Sequence, residues 1–408
     1  MIDILDDENN PAYGGPPYDK KPLSIYIHIP FCVKKCVYCD FLSFPVGGSC
    51  VSGYGAYREK YIEALCEELK SYAYLAETRI VRTIYIGGGT PSILDEDDIT
   101  VIMTSVRHIF DIEDNAEISI EVNPGTLTGR KAAEYIANGI NRMSIGLQSA
   151  QKDELAALGR IHNYDQFLAA YDMAREAGFR NINIDIMSDI PGQTMRSYLD
   201  TLEKVLRCGP EHISSYSLIV EEGTPLAANK ELLSLIPDED TDREMYNVTD
   251  KLLKAGGYHR YEISNYSKHG YECRHNVGYW IRRDYLGFGI GAASLIDNVR
   301  FQNGRDLAAY LAHPLDCREE EQSLTTQEQM EETLFLGLRL TKGVSYDAFA
   351  RQYGSSLQEI YGEVIARNVA DGLLQVTEGK ENEKRGRYLA LTKRGLDLSN
   401  YVMAQFLF

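Results

Sequence analysis

The sequence of 408 residues lacks a second pair of closely spaced cysteines, a long apolar run and an excess of positive charge. Its 42 basic residues stand against 60 acidic ones, which gives a net charge of −18. Because nucleic-acid binding depends on Lys and Arg meeting phosphates, this balance argues against a nucleic-acid partner. No apolar stretch is long enough to cross a bilayer. The first residues are acidic and rich in Pro, Gly and Tyr, and they contain no apolar signal core.

Cysteine usage favours a reducing compartment. Three of the eight cysteines lie close together, and the other five are scattered along the chain: Cys50, Cys66, Cys208, Cys273 and Cys317. Such scatter suits free thiols rather than a disulfide framework, which is typical of small secreted chains. We therefore expect a cytoplasmic protein without a transmembrane segment, with peripheral contact to a membrane as an open alternative.

The close trio is Cys32, Cys36 and Cys39, in the spacing C-x3-C-x2-C after a β-like run. Three thiolates on one short loop can hold three irons of a four-iron cluster, whereas electron-transfer clusters use four cysteines. The open iron suggests that another molecule chelates it. A structural zinc site needs four ligands. His28 is the available fourth ligand, but on an alternating strand it is equally a packed core histidine. The pattern favours the cluster.

Short β-branched runs alternate with amphipathic stretches from residue 23 to about 220, which predicts parallel β/α units closed or partly closed into a barrel. The predicted strands are Leu23–Ile29, Val81–Ile86, Glu117–Val122, Asn141–Leu147, Asn181–Met187 and His212–Leu218. Between them lie helical patterns such as Tyr61–Ala73, with apolar residues at steps of three and four.

Polar and glycine residues follow or end five consecutive predicted strands. The cysteine loop follows the first strand and Gly87–Ser92 follows the second. Glu121 ends the third strand, Gln148 ends the fourth and Asp185 lies in the fifth. Active sites of parallel β/α barrels assemble at the carboxyl ends of the strands. We therefore expect these residues to form one site.

The pattern changes after about residue 221. We predict a helix over Asp238–Lys254, a strand over Tyr258–Ser264, a polar and aromatic loop over Asn265–Trp280 and a glycine-rich strand over Tyr285–Ser294. From about residue 324 the chain is mostly helical, with Glu328–Leu340 and Leu357–Asp371 the clearest helices. The predicted domains are a flexible N-terminal extension (1–22), a barrel with its extension (23–300) and a C-terminal helical, winged-helix-like domain (320–408).

The cysteine motif resembles that of radical S-adenosylmethionine (SAM) enzymes. The strings from Tyr26 to Cys32, Gly87 to Ser92, Glu121 to Pro124, Ser144 to Gln148 and Ile184 to Thr194 are similar to the oxygen-independent coproporphyrinogen III oxidase family. The resemblance implies an α/β fold with a partial or open parallel (β/α)6 barrel of radical-SAM type. It also implies that SAM occupies the open iron and that the reduced cluster splits it to a deoxyadenosyl radical.

The resemblance assigns roles to residues of this sequence. It implies that Cys32, Cys36 and Cys39 bind a [4Fe-4S] cluster. It also implies a set of SAM-contacting residues: Tyr26, Tyr38, Gly88, Gly89, Thr90, Glu121, Gln148, Arg160 and Asp185. Glycine lets a backbone approach a ligand closely, and a loop that opens a helix offers N–H groups to a carboxylate. Taken singly, Glu121 and Asp185 also suit buried structural carboxylates, and Arg160 suits a surface ion pair.

Two features separate the chain from the oxidase. The fourth cysteine of the oxidase motif is replaced by Phe41, which cannot coordinate metal. The string from Cys273 to Trp280 looks like the H-N-x-x-Y-W mark of the oxidase-like heme chaperones, the HemW type. There, His275 is a candidate axial ligand of heme iron, and Tyr279 and Trp280 offer flat faces to the macrocycle. The alternative is a packed loop whose aromatics cover the barrel mouth.

We therefore predict a heme chaperone that carries the cluster, SAM and heme and passes heme to an acceptor apoprotein. One departure from the family is Asp189, which stands where a glycine is common and which puts the second SAM pocket in doubt. The rival interpretation is the oxidase itself, which converts propionates of coproporphyrinogen III to vinyl groups. A SAM- or cluster-based regulator with a winged-helix tail is a third, disfavoured by the acidic charge.

Overall fold

The computed structural model describes residues 20–46, 54–381 and 384–407. Most of the predicted extension 1–22 lies outside these residues, as does Cys50. The strands, numbered along the chain, are β1 (Lys21–Ile29), β2 (Phe31–Cys32), β3 (Phe44–Pro45), β4 (Arg79–Gly88), β5 (Ile112–Val122), β6 (Arg142–Gln148), β7 (Ile182–Ser188), β8 (His212–Ser217), β9 (His259–Arg260), β10 (Asn265–Ser267), β11 (Tyr285–Phe288), β12 (Ala293–Ile296), β13 (Val299–Asn303), β14 (Arg318–Ser323), β15 (Val344–Ser345), β16 (Leu374–Glu381) and β17 (Lys384–Leu391).

The helices lie mainly between the strands. They are α1 (Tyr54–Ser71), α2 (Glu96–Ile109), α3 (Gly129–Ala137), α4 (Lys152–Ala157), α5 (Tyr164–Ala177), α6 (Met195–Cys208), α7 (Lys230–Leu233), α8 (Glu239–Ala255), α9 (Arg274–Trp280), α10 (Leu307–Ala312), α11 (Thr326–Gly337), α12 (Tyr346–Tyr353), α13 (Leu357–Ala370), α14 (Lys393–Asp397) and α15 (Ser399–Ala404). Two short 3-10 helices span Ala73–Glu77 and Pro91–Ile93.

One twelve-stranded sheet carries the fold, in the order β14-β13-β12-β11-β1-β4-β5-β6-β7-β8-β10-β9. All six predicted strands lie in it as consecutive parallel neighbours, from β1 to β8. The order has two free ends, so the predicted α/β barrel is open. At one end β11 adds a further parallel strand beside β1, and at the other β10 pairs antiparallel with β8.

Buried β-branched residues explain why these segments form central strands, since strands covered on both faces are apolar along most of their length. In β4, Val81, Ile84 and Ile86 are fully buried. The helices present apolar stripes to the sheet: the buried residues of α2 are Ile99, Ile102, Met103 and Val106. A capping box at Asp95 starts α2. These contacts hold the carboxyl ends of the strands at one edge.

Three predictions beyond residue 255 were wrong in detail. The predicted strand Tyr258–Ser264 is reduced to β9, and the predicted loop Asn265–Trp280 contains β10 and the helix α9. The predicted strand Tyr285–Ser294 is two strands, β11 and β12, because Gly289 and Gly291 take left-handed conformations between them. A Cβ at Gly289 would lie 2.3 Å from the Tyr61 hydroxyl, so only glycine fits this turn.

The C-terminal part has its own small core and sheet. The sheet order is β15-β17-β16, and helices α11 to α15 surround it, which matches the predicted mostly helical, winged-helix-like domain. Its core runs from Leu334 to Phe406, whereas the barrel core runs from Leu23 to Tyr310. The domain bounds themselves stay a prediction. None of the described helices combines the length and the apolar character that crossing a lipid bilayer requires.

Candidate cofactor site

A cavity of about 610 Å³ opens at the carboxyl ends of the parallel strands. Most of the predicted site residues line it: Cys32, Cys36, Tyr38, Cys39, Gly88, Gly89, Thr90, Glu121, Gln148, Arg160 and Asp185. The fold thus brings together residues that are separated by more than 150 positions. The other four predicted residues do not line this cavity: Tyr26, His275, Tyr279 and Trp280.

The cysteine loop is held from both sides. The Val37 N–H donates to the Leu158 carbonyl at 3.1 Å, and the Val37 carbonyl accepts from the Leu226 N–H at 2.9 Å. The Cys39 N–H closes a turn on the Cys36 carbonyl at 3.3 Å. The loop is therefore placed by backbone hydrogen bonds that need no metal.

The three thiols suit a cluster better than a single ion. In the described part of the chain, the three cysteine sulfur atoms do not all lie within 4.8 Å of one another. A four-iron cluster separates its thiolates more widely than one zinc ion does, so this spacing fits the cluster. His28 is not a free fourth ligand, because its Nδ1 and Nε2 pair with the Tyr26 hydroxyl at 3.0 Å and the Leu42 carbonyl at 2.8 Å.

Burial favours the protonated form of two of the three thiols. It raises the pKa of Cys32, and it raises the pKa of Cys39 to about 11. The Thr90 hydroxyl donates to the Cys32 sulfur at 3.5 Å, and the Arg160 guanidinium donates to the Cys36 sulfur at 3.8 Å. Metal ligation requires thiolates, and the Thr90 hydroxyl stabilises the thiolate form of Cys32.

The glycine loop at the end of β4, which contains Gly88 and Gly89, lies too close to neighbouring groups for a side chain. Gly88 has φ +110°, and a Cβ there would lie 2.5 Å from the His28 ring. A Cβ at Gly89 would lie 2.7 Å from the Phe31 carbonyl oxygen. Both positions therefore require glycine.

Glu121 anchors this loop from β5. Its carboxylate accepts the Tyr85 hydroxyl at 2.9 Å and the Gly88 N–H at 3.1 Å. Burial, reinforced by Asp185, raises the pKa of Glu121 to about 7. The side chain also lines the cavity, so it can both position the loop and contact a ligand.

Gln148 and Arg160 connect the strand ends to the cysteine loop. Gln148 has φ 66°, a left-handed conformation that is strained for a non-glycine residue and common at functional sites. Its Oε1 accepts the Tyr216 hydroxyl at 3.0 Å. Arg160 donates to Asn123 Oδ1 at 2.7 Å and to the Gly146 carbonyl at 2.6 Å. Arg160 thus lies in the site, not in a surface ion pair.

The inner end of the cavity is charged. Asp185 accepts hydrogen bonds from Ser144 at 3.1 Å and Asn183 at 2.7 Å, while burial raises its pKa. Arg142 is 2% exposed and lines the cavity, and its Nε has no hydrogen-bond partner in the described part of the chain. Sequence reasoning missed Arg142, because nothing in Asn141–Leu147 distinguishes it from a surface arginine at a strand start.

The structure argues against His275 as a heme ligand in this conformation. The residue lies on α9, is 1% exposed and stacks on Tyr85 with ring centroids 5.1 Å apart. Its Nδ1 lies 2.9 Å from the Thr83 hydroxyl and its Nε2 lies 2.9 Å from the Tyr279 hydroxyl. Thr83 donates its own proton to Ser24, so Nδ1 must donate and Nε2 must accept. The lone pair that would bind iron is already used.

Of the remaining aromatics of the string, Tyr279 packs against the main sheet and Trp280 contacts the C-terminal domain. Tyr279 packs edge-on against Tyr285 with ring centroids 4.8 Å apart. Trp280 carries the Arg339 guanidinium 4.4 Å above its ring centroid and packs in a small cluster with Leu340. Both rings are half-buried in these contacts, and the expectation that they present flat faces to a macrocycle stays a prediction. Only Asn276 of this helix lines the cavity.

Glu117 of β5 caps the start of α9 by accepting its first backbone N–H groups. Its carboxylate accepts the N–H groups of Arg274 and His275, both at 3.0 Å, and the Cys273 thiol at 3.6 Å. An anion at a helix N-terminus is stabilising, so this contact fixes α9 beneath the cavity. Cys273 is fully buried, as expected for an inert packed thiol.

Exposed apolar side chains stand at the mouth of the cavity. Phe41 and Ile219 are 60% and 69% exposed and both line the cavity. Lys34 and Lys35 line the same mouth, and Lys35 donates to the Phe41 carbonyl at 2.7 Å. Sequence reasoning singled out Phe41 only as a missing ligand. Asp189 takes a left-handed conformation, with φ 64°, and does not line the cavity.

Two family models match the chain. The model described as the Radical SAM superfamily matches residues 26–205, which contain the cysteine loop and the strand ends. The model described as the HemN C-terminal domain matches residues 324–398.

Similar proteins cover nearly the whole chain. The heme chaperone HemW of Lactococcus lactis subsp. lactis is 35% identical over 391 residues, which is 95% of this chain and 98% of that protein. The heme chaperone HemW of Bacillus subtilis is 36% identical over 393 residues, with shares of 94% and 99%. Among solved structures, coproporphyrinogen III oxidase (HemN) from Escherichia coli, described as a radical SAM enzyme, has a TM-score of 0.82 at 25% identity and covers 96% of this chain and 91% of that one.

Proposed function

Because the chain belongs to the family of the heme chaperones HemW, within the radical SAM superfamily, we propose that it binds heme and transfers it to an acceptor protein. The radical SAM domain implies a [4Fe-4S] cluster and SAM, which together supply one-electron chemistry when bound. The acceptor is an apoprotein that takes up heme. If the acceptor is bound to a membrane, this chain would need only peripheral contact with that membrane to reach it.

Residues around the cavity would hold the cluster and SAM. Cys32, Cys36 and Cys39 would ligate the cluster, and Gly88, Gly89 and Thr90 would approach the methionyl end of SAM. The remaining proposed SAM contacts are Tyr26, Tyr38, Glu121, Gln148, Arg160 and Asp185. Support comes from the cavity, which all of these residues line except Tyr26. Tyr26 would act through His28, to which its hydroxyl is hydrogen-bonded at 3.0 Å.

The observation that carries heme binding is the mouth of the cavity. Heme is a flat apolar macrocycle with two propionates, and it needs apolar contacts and cations. Phe41 and Ile219 offer exposed apolar surface there, beside a cavity into which polar groups converge, as they do in ligand sites. Lys34 and Lys35 offer the cations, although Asp40 and Glu221 also line this mouth. We place heme on this surface rather than on His275.

A hemin titration tests the proposal. Cluster-reconstituted protein is titrated anaerobically with hemin and the Soret band is followed. Removing the Phe41 ring forfeits about 1.5–3 kcal/mol of apolar contact, so Phe41→Ala should weaken hemin binding roughly ten- to hundredfold. Tyr401→Ala, which removes an equally exposed aromatic (61%) on α15, is the matched control and should bind as the wild type does.

The titration also decides between the mouth and the H-N-x-x-Y-W string. His275→Gln keeps an amide that can hydrogen-bond but removes the imidazole. If this variant loses the wild-type Soret position while Phe41→Ala keeps its affinity, His275 is the axial ligand and the mouth is not the site. If the wild type shifts no Soret band, the chaperone function is refuted.

The oxidase remains the alternative that an assay must exclude. The likeness to HemN shows a shared fold and the curated names favour a chaperone. Coproporphyrinogen, SAM and a reductant are incubated with the reconstituted protein. Vinyl products would establish the oxidase activity; their absence alongside hemin binding supports the chaperone.

A further inference from the structure

A second cluster of ligand-type side chains lies away from the cavity. It consists of His259, His269 and Glu272, here called the His–His–Glu cluster. One ligand atom from each residue lies within 4.8 Å of the others, and among the described residues this is the single trio of His, Cys, Asp or Glu with such spacing. None of the three lines the cavity.

Two backbone segments bring the cluster together, the edge strand β9 and the loop between β10 and α9. His259 belongs to β9 at the edge of the sheet, His269 follows β10, and Glu272 lies just before α9. His259 Nε2 is 2.8 Å from a carboxylate oxygen of Glu272. The two imidazole rings stack with centroids 4.2 Å apart and planes inclined by 13°. Glu272 is 4% exposed and also accepts the Gly270 N–H at 3.1 Å.

A histidine–glutamate ion pair alone does not explain this arrangement. Within the described part of the chain, the structure gives His269 no hydrogen bond, and His259 Nδ1 is buried without a partner. Two imidazole nitrogens and one carboxylate oxygen that lie within 4.8 Å of one another form a ligand set for a divalent transition metal.

We propose that the His–His–Glu cluster binds a divalent transition metal ion of the zinc class. Two imidazole nitrogens and one carboxylate oxygen form a three-ligand set that leaves a fourth, tetrahedral position for water. With no thiolate in the set, imidazole selects zinc, copper or nickel over calcium and magnesium. The zinc-class ion binds independently of the iron–sulfur cluster and of heme.

The position of the cluster assigns the ion a structural role. It joins the edge strand β9 to the segment that leads directly into α9. Glu117 accepts the first N–H groups of α9, and Asn276 of α9 lines the cavity. A metal at the His–His–Glu cluster therefore gives the segment that enters this helix a second anchor.

The proposal is tested by metal analysis of the protein loaded with its iron–sulfur cluster. The protein is dialysed anaerobically against buffered Zn²⁺, and zinc and iron are measured together by mass spectrometry. The wild type should retain about one zinc ion per chain. His269 is exposed, so His269→Ala should fold normally. Loss of even an outer partner of a metal site costs 10–100-fold in affinity, so loss of this ligand should cost at least about 100-fold.

The control and a spectroscopic measurement make each outcome decisive. His313→Ala, which removes another exposed histidine, should retain the zinc, and iron should be unchanged in every variant. Zinc X-ray absorption should show only nitrogen and oxygen neighbours, because zinc on the cluster cysteines would show sulfur at about 2.3 Å. No retained zinc, sulfur neighbours, or equal zinc in His269→Ala would each overturn the proposal.

Discussion

Replacing His275 by glutamine should change how stability depends on pH, without changing how heme is ligated. Burial, followed by the charge of Arg142, lowers the pKa of His275 to about 3 from its ordinary value of 6.5. The native protein therefore keeps this imidazole neutral, while the unfolded chain binds a proton below about pH 6.5. The stabilisation is present above 6.5 and is lost progressively as the pH falls from 6.5 toward 3.

The size of the effect follows from these two pKa values. Between pH 7 and pH 5 the proton bound by the unfolded imidazole lowers the free energy of unfolding by about 2 kcal/mol. Glutamine does not titrate, so this loss is absent from the variant. His275→Gln also disturbs the bonds to Thr83 and Tyr279, each worth about 1 kcal/mol. The variant should be less stable than the wild type at pH 7, and the gap should narrow by about 2 kcal/mol at pH 5.

Urea unfolding followed by tryptophan fluorescence measures this gap. Trp280 is the single tryptophan of the chain and lies at the end of the same helix, so it reports on this region. Other buried histidines, such as His212, titrate equally in the wild type and the variant. Their contributions therefore cancel in the difference between the two free energies of unfolding. A gap that stays constant from pH 7 to pH 5 would show that His275 is not held neutral in the core, and the argument against its heme ligation would fall with it.

Two further predictions concern the cofactor site. Cys36→Ser should reduce the iron of reconstituted protein from about four per chain to a small remainder, whereas Cys317→Ser, outside the site, should keep it; equal iron in both would remove Cys36 from the ligand set. Because the pKa of Glu121 is about 7, SAM binding, followed by calorimetry, should weaken as the pH falls through 7. Loss of a charge-assisted hydrogen bond costs about 1.5–3 kcal/mol, or roughly ten- to hundredfold, and Glu121→Gln should abolish the pH dependence; a pH dependence that survives in Glu121→Gln would contradict the assignment.

Local patterns predicted the parallel half of the fold well. Most of the six strands were predictable because they are short runs with buried β-branched residues. The helices were predictable because their apolar residues recur at steps of three and four residues. Polar residues at the strand ends predicted one site, since parallel strands direct their carboxyl ends to one edge. Most of those residues do line one cavity.

The string from Cys273 to Trp280 shows where local patterns fail. Its aromatic and polar residues predicted a loop, yet the segment folds into α9. The cause is tertiary: Glu117, more than 150 residues earlier in the chain, accepts the first N–H groups of the helix. The burial of His275 has the same origin, because Thr83 and Tyr85 come from β4.

The sequence by itself determined the cysteine trio, the glycine loop and the order of the β/α units, because spacing and periodicity are local properties. Only the tertiary structure decided which side chains face the cavity, which are buried beneath it and which meet at the edge of the sheet. Arg142, the exposed Phe41 and the His–His–Glu cluster belong to this second group. Burial and coordination depend on residues distant in the chain, and no local pattern records them.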